Sequence, residues 1–580
     1  MSWLLPLPVV IPLLGAAVNA ALDHVTPRWL HDAVSLAAVV AAFGFAVAVL
    51  LSSMSSEPLH WFGGWTPRSG IAVGVGFAAD PLGAGFAVLA CGLTLASLVY
   101  SLAFVDASKR SYDILLCALC GALCGFTLTA DLFNMFVWLE LLGVACYALT
   151  GFYVRRTGAL QGALNFAIVN TVGGYFVLLG IGLLYARTGA LNLAQIGRTL
   201  AGEPAGGPAV IAMTLVFCGF LCKAAVVPFH FWLADAYAAA PAPVCLIFAG
   251  VVTDIGLFGV ARVWFTVFDA PFGAQQRFVG DALLWVGIVT ALVGGLMALV
   301  QSQLKRLLSF SVVCHIGIML AGVGLLSSKG VAGAASMLLA HGLVTGALFL
   351  AAGVLAVREP LRWTSFLWFA GAIALIGPPY VGVYMGHALI DDAAVELGRQ
   401  WVQPLLWLAG ALAGAAILRA GAQVFLGLSK EDYDHGIAER EDAFVPLLVA
   451  IPTVLVVLGF AVGLVPGLTQ RIVYGADRFR DRAAYANRVL HGLGVRHTAQ
   501  IPLTLLHTSL ESILYGCGAL VVAVSLAAFA VLRPNEARTR VFEPVVWPLR
   551  RLQTGVIGDY VMWIVVGVAV IGGVWAVTLR

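Results

Sequence analysis

Charged residues are scarce in this sequence. Asp, Glu, Lys and Arg make up 11% of its 580 residues, whereas soluble domains carry about 25%. Hydrophobic residues make up 61% of the chain, and the mean hydropathy is +0.98. Water cannot solvate a fold with so much apolar surface, so the composition excludes a soluble protein and indicates a chain embedded in lipid. The net charge of +3 is too small to indicate a nucleic-acid partner.

Signatures of redox cofactors are also missing. No G-x-G-x-x-G follows a strand, and no C-x-x-C-H haem motif occurs. Cys117, Cys120 and Cys124 form a C-x2-C-x3-C run inside an apolar stretch, without a fourth cysteine nearby or a proline after the third. We interpret them as small hydrophobic residues on one helix face. We therefore predict no metal, no cofactor and no disulfide framework, and any redox chemistry must belong to a partner.

Long apolar runs recur almost from end to end. The first 22 residues lack the basic region and cleavage site of a secretory signal, so we expect a retained helix there. The runs are too long and unalternating for a barrel, and they predict an all-α polytopic membrane protein with about 14–16 transmembrane helices. The predicted helices cover 3–22, 31–52, 81–105, 112–130, 131–152, 161–186, 208–229, 241–267, 279–301, 307–326, 331–357, 363–390, 403–427, 444–466, 507–532 and 557–579.

More polar segments interrupt this pattern. We predict loops at 53–80, 429–444 and 467–506, and an interfacial helix within 541–555 that mixes Trp, Val and Leu with Arg. The final helix follows directly, so the last eighty residues resemble an appended arm. Loops after odd-numbered helices hold more basic residues than loops after even-numbered helices up to the eleventh helix, which predicts an N-terminus outside the cytoplasm in a cell inner membrane. The basic residues after odd-numbered helices are Arg28, Lys109, Arg110, Arg155, Arg156, Lys305, Arg306, Arg358 and Arg362.

Two ionisable residues lie deep inside predicted helices of the first half. Glu140 is nine residues from Asp131 and fifteen from Arg155, so it is too short to reach either interface. Lys223 precedes Pro228, which we expect to break the helix and free carbonyls that hold water. Such residues cost several kcal/mol in lipid and mark function by default. The alternative is a structural carboxylate or lysine held by a neighbouring helix.

Further candidates lie later in the chain. Asp254 is eight residues before Arg262 and can be either functional or a helix-end residue paired with that arginine. His315 and His341 lie on consecutive helices and indicate a proton relay, although a lone buried histidine is often only a hydrogen-bonded core residue. His387 follows Pro378 and Pro379, which we expect to break a second helix.

Several stretches carry a family resemblance over about 80–430. DLFNMFVWLELLGVACYALTGFYVRR, KAAVVPFHFWLADAYAAAPAP and QLKRLLSFSVVCHIGIML are similar to the antiporter-like membrane subunits of respiratory complex I. They look closest to the D subunits of Mrp-type cation/proton antiporters and to the large membrane subunit of energy-converting hydrogenases. The resemblance implies two inverted five-helix repeats with broken seventh and twelfth helices. It aligns the family's functional glutamate, lysine and two histidines with Glu140, Lys223, His315 and His341.

The sequence departs from the family pattern at three positions. The eighth helix reads AGVVTDIGLF, so Asp254 replaces a lysine, and in the eleventh HGLVT puts Thr345 at a lysine position. Aligned on Gly377 and Gly386, the lysine of the twelfth helix becomes His387. The residues of the proton relay toward the second half of the chain therefore differ from the family pattern, because Asp, Thr and His replace lysines. His230 and Asp235 mark the far end of the Lys223 helix as supporting residues.

The resemblance and the buried charges predict a proton-translocating subunit of a multisubunit complex of the Mrp, complex I or hydrogenase type. Protons would enter near Lys223 under the influence of Glu140 and pass to the histidines, with His387 or Asp254 at the exit. Expected partners are small membrane subunits, lipid, protons, and either Na⁺ or K⁺. The alternative is a membrane scaffold for a peripheral redox or carbon-capturing enzyme. The expected units are 1–110, the repeats 111–268 and 269–428, the soluble loops with one helix 429–506, and the arm 507–580.

Overall fold

The computed structural model confirms the predicted all-α architecture. It describes residues 2–22, 25–104, 111–155, 157–202, 206–357, 362–428, 445–465, 467–493, 509–532, 544 and 547–579. Among these, 13 helices are long and apolar enough to cross a membrane, and three shorter apolar helices add to them. Each falls on one of the sixteen predicted segments. We count these units as crossings in chain order.

The first half of the chain contributes helices that alternate with short connections. They are α1 Leu7–Leu22, α2 Arg28–Ser53, α3 Pro81–Phe104, α4 Ser111–Leu128, α5 Leu132–Thr150, α6 Thr157–Thr188, α7 Leu193–Ala201, α8 Gly207–Lys223, α9 Phe231–Ala239, α10 Ala242–Ile247 and α11 Asp254–Val263. Single π-helical segments, Phe248–Val252 and Trp264–Phe268, follow α10 and α11. The seventh crossing is α8 with α9, and the eighth is α10 with α11.

The second half continues in the same way. Its helices are α12 Gln276–Ala298, α13 Leu304–Gly324, α14 Ser328–Val357, α15 Arg362–Ile376, α16 Tyr384–Glu396, α17 Val402–Phe425, α18 Val445–Ala461, α19 Leu468–Arg480, α20 Arg482–His491, α21 Leu510–Leu532 and α22 Ile557–Thr578. The twelfth crossing is α15 with α16. The helices α19 and α20 lie between the fourteenth crossing, α18, and the fifteenth, α21.

Two of the predicted loops contain regular structure. Within 53–80, β1 Leu59–Trp61 and β2 Gly76–Ala78 pair in antiparallel fashion, with His60 opposite Phe77. Within 467–506, α19 Leu468–Arg480 and α20 Arg482–His491 form two short helices. The predicted loop 429–444, residues 494–506, and 541–543, 545 and 546 of the predicted interfacial segment lie outside the described residues. Residues 547–552 of that segment are helical.

The seventh crossing is broken where Pro228 predicts it. Pro228 has no N–H to donate, and its ring opposes a continuing helix. α8 ends at Lys223, and Ala225 adopts a positive φ of 52°. The backbone N–H of Val227 donates to Thr290 Oγ1 at 3.1 Å, so a neighbouring helix satisfies part of the break. α9 then begins at Phe231.

The twelfth crossing is broken around Pro378 and Pro379. α15 ends at Ile376, and the chain turns through Gly377 at φ 76° and Gly382 at φ 57°. Glycine adopts these left-handed conformations without steric cost. A Cβ on Gly382 would also collide with the backbone of Ala374. α16 begins at Tyr384, so His387 lies in its first turn.

The crossings end at two opposite faces of the bundle. Ion pairs between connecting segments show which of these segments lie on the same face. We call the side with connections after even-numbered crossings the even face, and the other the odd face. On the even face, Glu57 pairs with Arg478 of α19 at 2.7 Å, and Lys329 pairs with Glu396 at 2.5 Å. On the odd face, Arg306 pairs with Asp235 at 2.5 Å. Each of these ion pairs joins segments on the same face, as expected if successive crossings run in opposite directions through the bundle.

The two C-terminal helices pack on the outside of the bundle. The eighth crossing and α13 are wholly buried, whereas less than a third of α21 and of α22 is buried. α22 lies along the first break, where Gly567 faces the rings of Phe229 and Pro228. α21 lies along the second break, where Gly516 faces Tyr384. The appended arm predicted from the sequence therefore covers both broken crossings.

Candidate functional site

Lys223 lies at the C-terminal end of α8, inside the bundle. It is 3% exposed, and its Nζ has no hydrogen-bond partner among the described residues. Nζ lies 4.9 Å from the ring centroid of Phe166, which stacks on Trp232 with centroids 4.1 Å apart. Trp232 Nε1 donates to the Cys222 carbonyl at 3.1 Å. A cation–π contact and the helix C-terminus stabilise the charge, but no anion neutralises it at contact distance.

Glu140 lies halfway along α5 and is half-buried. Its Oε1 packs against Gly174 of α6, where a side chain would collide with it. No described ion pair joins Glu140 to Lys223, although the two charges interact electrostatically at longer range. The structure therefore places them as separated partners rather than as a contact pair.

The odd-face end of the first broken crossing holds a polar cluster around Asp235. Its carboxylate receives Arg306, Asn165 Nδ2 at 3.0 Å and the Tyr560 hydroxyl of α22 at 3.1 Å. His230 lies one turn before it with an unpartnered Nδ1. The two residues that the sequence marked as supporting thus lie between Lys223 and the odd face.

Asp254 lies at the start of α11 and is completely buried. Neither carboxylate oxygen has a hydrogen-bond partner among the described residues. The alternative interpretation, an ion pair with Arg262, is wrong, because Arg262 pairs with Asp80 instead. Arg262 also stacks on Phe479 of α19, 3.9 Å from the ring centroid. The guanidinium is therefore engaged near the even face, and Asp254 is left alone in the interior.

His315 and His341 lie side by side with ring centroids 4.7 Å apart. His315 Nδ1 faces the Ser311 carbonyl at 2.8 Å, and Nε2 faces the Leu375 carbonyl at 3.2 Å. Both ring nitrogens thus face acceptors, and only the protonated ring can donate to both. Both nitrogens of His341, and Thr345 Oγ1 one turn later, lack partners among the described residues. The two rings are therefore neighbours, but no direct hydrogen bond between them is described.

His387 lies on the far side of this pair, in the first turn of α16. It is fully buried, and neither ring nitrogen has a described hydrogen-bond partner. Its ring stacks on Trp407 of α17 with centroids 4.2 Å apart. Trp407 Nε1 donates to Asp391 at 2.9 Å. Asp391 was not predicted from the sequence, although its spacing of four residues from His387 places both on one helix face.

The cysteines pack differently from the predicted run. Cys91 of α3 joins Cys120 and Cys124 of α4, and the three sulfur atoms lie within 4.8 Å of one another. Cys117 is not part of this group. All of them are buried as reduced thiols. The interpretation of Cys117, Cys120 and Cys124 as small hydrophobic residues without a metal stays a prediction.

Comparison with known proteins relates this geometry to a family. A model of the NADH:quinone oxidoreductase/Mrp antiporter transmembrane family matches residues 129–413. NADH-quinone oxidoreductase subunit N of Desulforudis audaxviator is 32% identical over 406 residues, which cover 66% of this chain and 78% of that protein. The chain belongs to this family. The resemblance inferred from the sequence is thereby confirmed.

Other members of the NADH:quinone oxidoreductase/Mrp antiporter family are also similar. The D subunit of the Na⁺/H⁺ antiporter of Bacillus subtilis is 27% identical over 73% of this chain and 87% of that protein. A chain of the Mrp complex from Dietzia sp. DQ12-45-1b superimposes with a TM-score of 0.73 and 26% identity, covering 84% of this chain and all of that chain. The shared fold therefore extends beyond the segment that the family model matches.

The family segment includes every predicted site residue, from Glu140 to His387. It excludes α18–α22, so the contacts that Tyr560 makes with Asp235 come from outside the segment. The roles of the individual site residues stay predictions.

Proposed function

We propose that this chain is a proton-translocating subunit of a multisubunit membrane complex, with a proton route that links its two broken crossings. The observation that carries the proposal is a set of fully buried ionisable side chains without direct partners. Lys223, Asp254, His341 and His387 share this property among the described residues. Native proteins rarely leave such groups unpaired, and where they do, the groups serve a function or contact water.

The two ends of the route open toward opposite faces. The first broken crossing runs from the even face to the odd face, so Asp235 lies beyond Lys223 on the odd side. The second broken crossing runs the other way, and α16 carries the chain from His387 toward Glu396 at the even face. His315 and His341 lie between these halves. A proton that enters beside Lys223 can therefore leave beside His387 on the opposite side.

Electrostatic coupling between Glu140 and Lys223 controls when Lys223 releases its proton. A charge pair at about 4 Å with an effective dielectric of about 20 interacts by about 4 kcal/mol. Glu140 and Lys223 lie further apart than a contact pair, so their coupling is weaker and depends on small movements of α5, α6 and α8. Approach of the pair holds the proton on Lys223, and separation releases it toward His315.

The partners are further membrane subunits. Glu140 is half-buried on a helix whose neighbouring residues Val137 and Val144 are 44% and 61% exposed. A carboxylate facing lipid tails costs several kcal/mol, so a second subunit covers this side of α5. We propose Na⁺ or K⁺ as a counter-ion of the complex, because relatives named as Na⁺/H⁺ and K⁺/H⁺ antiporter subunits match this chain.

The orientation follows from the basic residues of the odd face. We place this face in the cytoplasm of a cell inner membrane, and the N-terminus outside. Several of these residues are engaged internally, such as Lys305, which donates to the Ala240 carbonyl at 2.8 Å. Protons then enter from the cytoplasm beside Asp235 and leave outside beside His387.

The test is proton flux in vesicles that carry the assembled complex. Lys223→Ala and Glu140→Gln should each abolish ΔpH-driven or cation-driven flux, while assembly stays intact. Lys329→Ala, which removes a partly exposed lysine paired with Glu396, is the matched control and should conduct normally. An inert scaffold would show equal flux in all four proteins. Wild-type flux in an assembled Lys223→Ala complex contradicts the proposal.

A further inference from the structure

Asp391 is a buried carboxylate one turn after His387 on α16. It is 1% exposed, and Oδ2 receives two hydrogen bonds. Trp407 Nε1 of α17 donates at 2.9 Å, and Ser512 Oγ of α21 donates at 3.0 Å. Two donors from two different helices hold one carboxylate oxygen in place. Such charge-assisted hydrogen bonds are stronger than neutral ones, and they define the side-chain position.

Trp407 connects Asp391 to His387. The indole ring stacks on the imidazole with an angle of 23° between the planes, and its N–H is bonded to Asp391. The two side chains on α16 are four residues apart, so their Cα atoms are separated by about 6 Å along the helix axis. Both nitrogens of His387 lack described partners. No direct hydrogen bond between the two side chains is described, and a water molecule can connect an imidazole N–H with a carboxylate on the same helix face.

The surroundings of Asp391 attract positive charge. Asp392 on α16 and Glu511 on α21 lie close enough to interact with its carboxylate. A described cation at this end is Lys329, which lies 4.0 Å from Asp392 and pairs with Glu396. α16 ends five residues later, where the chain is exposed. This end of the helix therefore combines negative charge with a short distance to the even face.

We propose that Asp391 is the proton acceptor for His387, and that α21 forms part of this site through Ser512. The imidazolium of His387 gives a ring proton to a bridging water, which gives one of its protons to the Asp391 carboxylate. Neutral imidazole and neutral carboxylic acid result, and the acid then releases its proton to water at the even face. The inference rests on the proposed function, since it identifies the last carrier of the same route.

Ser512 belongs to α21, which lies outside the segment that the family model matches, so the proposed acceptor site includes a residue from the C-terminal arm. α21 begins at Leu510, so Ser512 lies in its first turn and reaches the carboxylate from the even face. Ser509 Oγ donates to Ser512 Oγ at 3.0 Å, which leaves the Ser512 hydrogen free to point at Asp391. The exit is therefore incomplete without the C-terminal arm.

A purely structural role makes a different prediction. If Asp391 only fastens α21 to α16 and α17, an asparagine of the same shape can still accept both hydrogen bonds through its amide oxygen. Asp391→Asn should then assemble and conduct like the wild type. If Asp391 carries the proton, the same variant should assemble but lose at least about ten-fold in flux, because a titrating group is missing from the route.

The experiment compares variants in vesicles that contain the native complex. Asp391→Asn is measured beside Glu396→Gln, which alters an exposed carboxylate of the same helix that neither Trp407 nor Ser512 contacts, and beside Lys223→Ala. We expect loss in the first, normal flux in the second and loss in the third. Normal flux in Asp391→Asn with loss in Lys223→Ala overturns this inference and leaves the proposed function standing. Normal flux in both overturns the proposed function as well.

Infrared spectroscopy provides a readout that a structural role would not change. A change of pH should produce a carboxylic-acid band that Asp391→Glu shifts and Asp391→Asn removes. Ser512→Ala removes one hydrogen bond and should move the same band, with a flux loss of a few-fold. If Asp391→Asn does not assemble, Asp391→Glu decides: retained flux with a shifted band supports the inference, and an unshifted band contradicts it.

Discussion

Buried charges near the even face differ from buried charges in the middle of the bundle. Near this face they are paired: Arg262 with Asp80, and Glu57 with Arg478 and Arg488. In the middle, Lys223, Asp254, His341 and His387 lack partners among the described residues. A buried pair offsets part of its desolvation cost, whereas an unpaired buried group keeps all of it. The difference distinguishes charges that stabilise the fold from charges that we propose to carry protons.

The two broken crossings show a second contrast. Lys223 lies at the C-terminal end of α8, where the helix dipole favours a cation. His387 lies in the first turn of α16, where the partial positive charge of the helix opposes one. The first break therefore suits a group that keeps its charge for long periods. The second suits a group that holds a proton only briefly and passes it on.

Breaking the paired charges should have the largest effect, and it should fall on stability. Arg262→Ala leaves the buried Asp80 carboxylate without a cation, although Leu82 and Gly83 still donate their backbone N–H groups to it, and this should cost about 3 kcal/mol of the free energy of unfolding. The flux per assembled complex should stay near wild type. Thermal unfolding of the purified complex, with flux normalised to assembled protein, measures both quantities.

The matched control for this variant is Arg277→Ala. Arg277 is 82% exposed and lies 3.8 Å from Asp281, so its loss should cost less than about 1 kcal/mol. An Arg262→Ala complex that is stable but does not conduct would contradict the division, because a paired charge would then belong to the route.

Removing an unpaired charge should lower the proton flux without lowering the stability of the complex. Lys223→Met keeps the length of the side chain and removes a buried cation without a hydrogen-bond partner. Flux should fall by at least about 100-fold, since a proton carrier is lost. Stability should be unchanged or higher, because an apolar side chain has no desolvation cost in this place. Lys329→Met serves as the control for flux, and a marked loss of stability in Lys223→Met would show that the lysine is structural.

The crossings could be predicted from the sequence because an apolar run of about 20 residues has one stable form in lipid. The two breaks could be predicted because proline acts on its own helix. The hairpin of β1 and β2 was missed because each strand has three residues. The helices α19 and α20 were missed because their composition is polar and resembles that of a loop.

Pairing of charges was not predictable in the same way. Arg262 and Asp254 are near neighbours in the sequence, but Arg262 pairs with Asp80, which is 182 residues away. Only the packed bundle decides which carboxylate an arginine meets. The sequence singles out a set of ionisable residues because each lies inside a long apolar run, where a charge is costly, and their roles stay predictions. They are Glu140, Lys223, Asp254, His315, His341 and His387. Asp391 was missed because it stands next to Asp392 near the end of its helix.

The second break should tolerate the loss of one group better than the first. His387→Phe keeps an aromatic ring against Trp407 and removes both ring nitrogens. Asp391 and His341 remain near the route, so flux should fall by about ten-fold, less than in Lys223→Met. The unfolding midpoint should not change. His491→Phe, which alters an exposed histidine of α20, is the control, and a complete loss of flux in His387→Phe would show that both breaks depend on one group each.

The smallest expected effect tests whether His387 exchanges protons through water. Gly410 of α17 lies beside the ring, and a Cβ there would be 3.7 Å from His387 Nε2, an ordinary contact without strain. Gly410→Ala should slow flux by a few-fold because the methyl group takes the place of a water molecule at Nε2. Stability should rise by about 0.5–1 kcal/mol, since alanine favours a helix interior more than glycine. Gly573→Ala, with no neighbour within 4 Å on α22, should gain the same stability without a change in flux. Equal flux in both variants would mean that the proton leaves His387 by its other nitrogen.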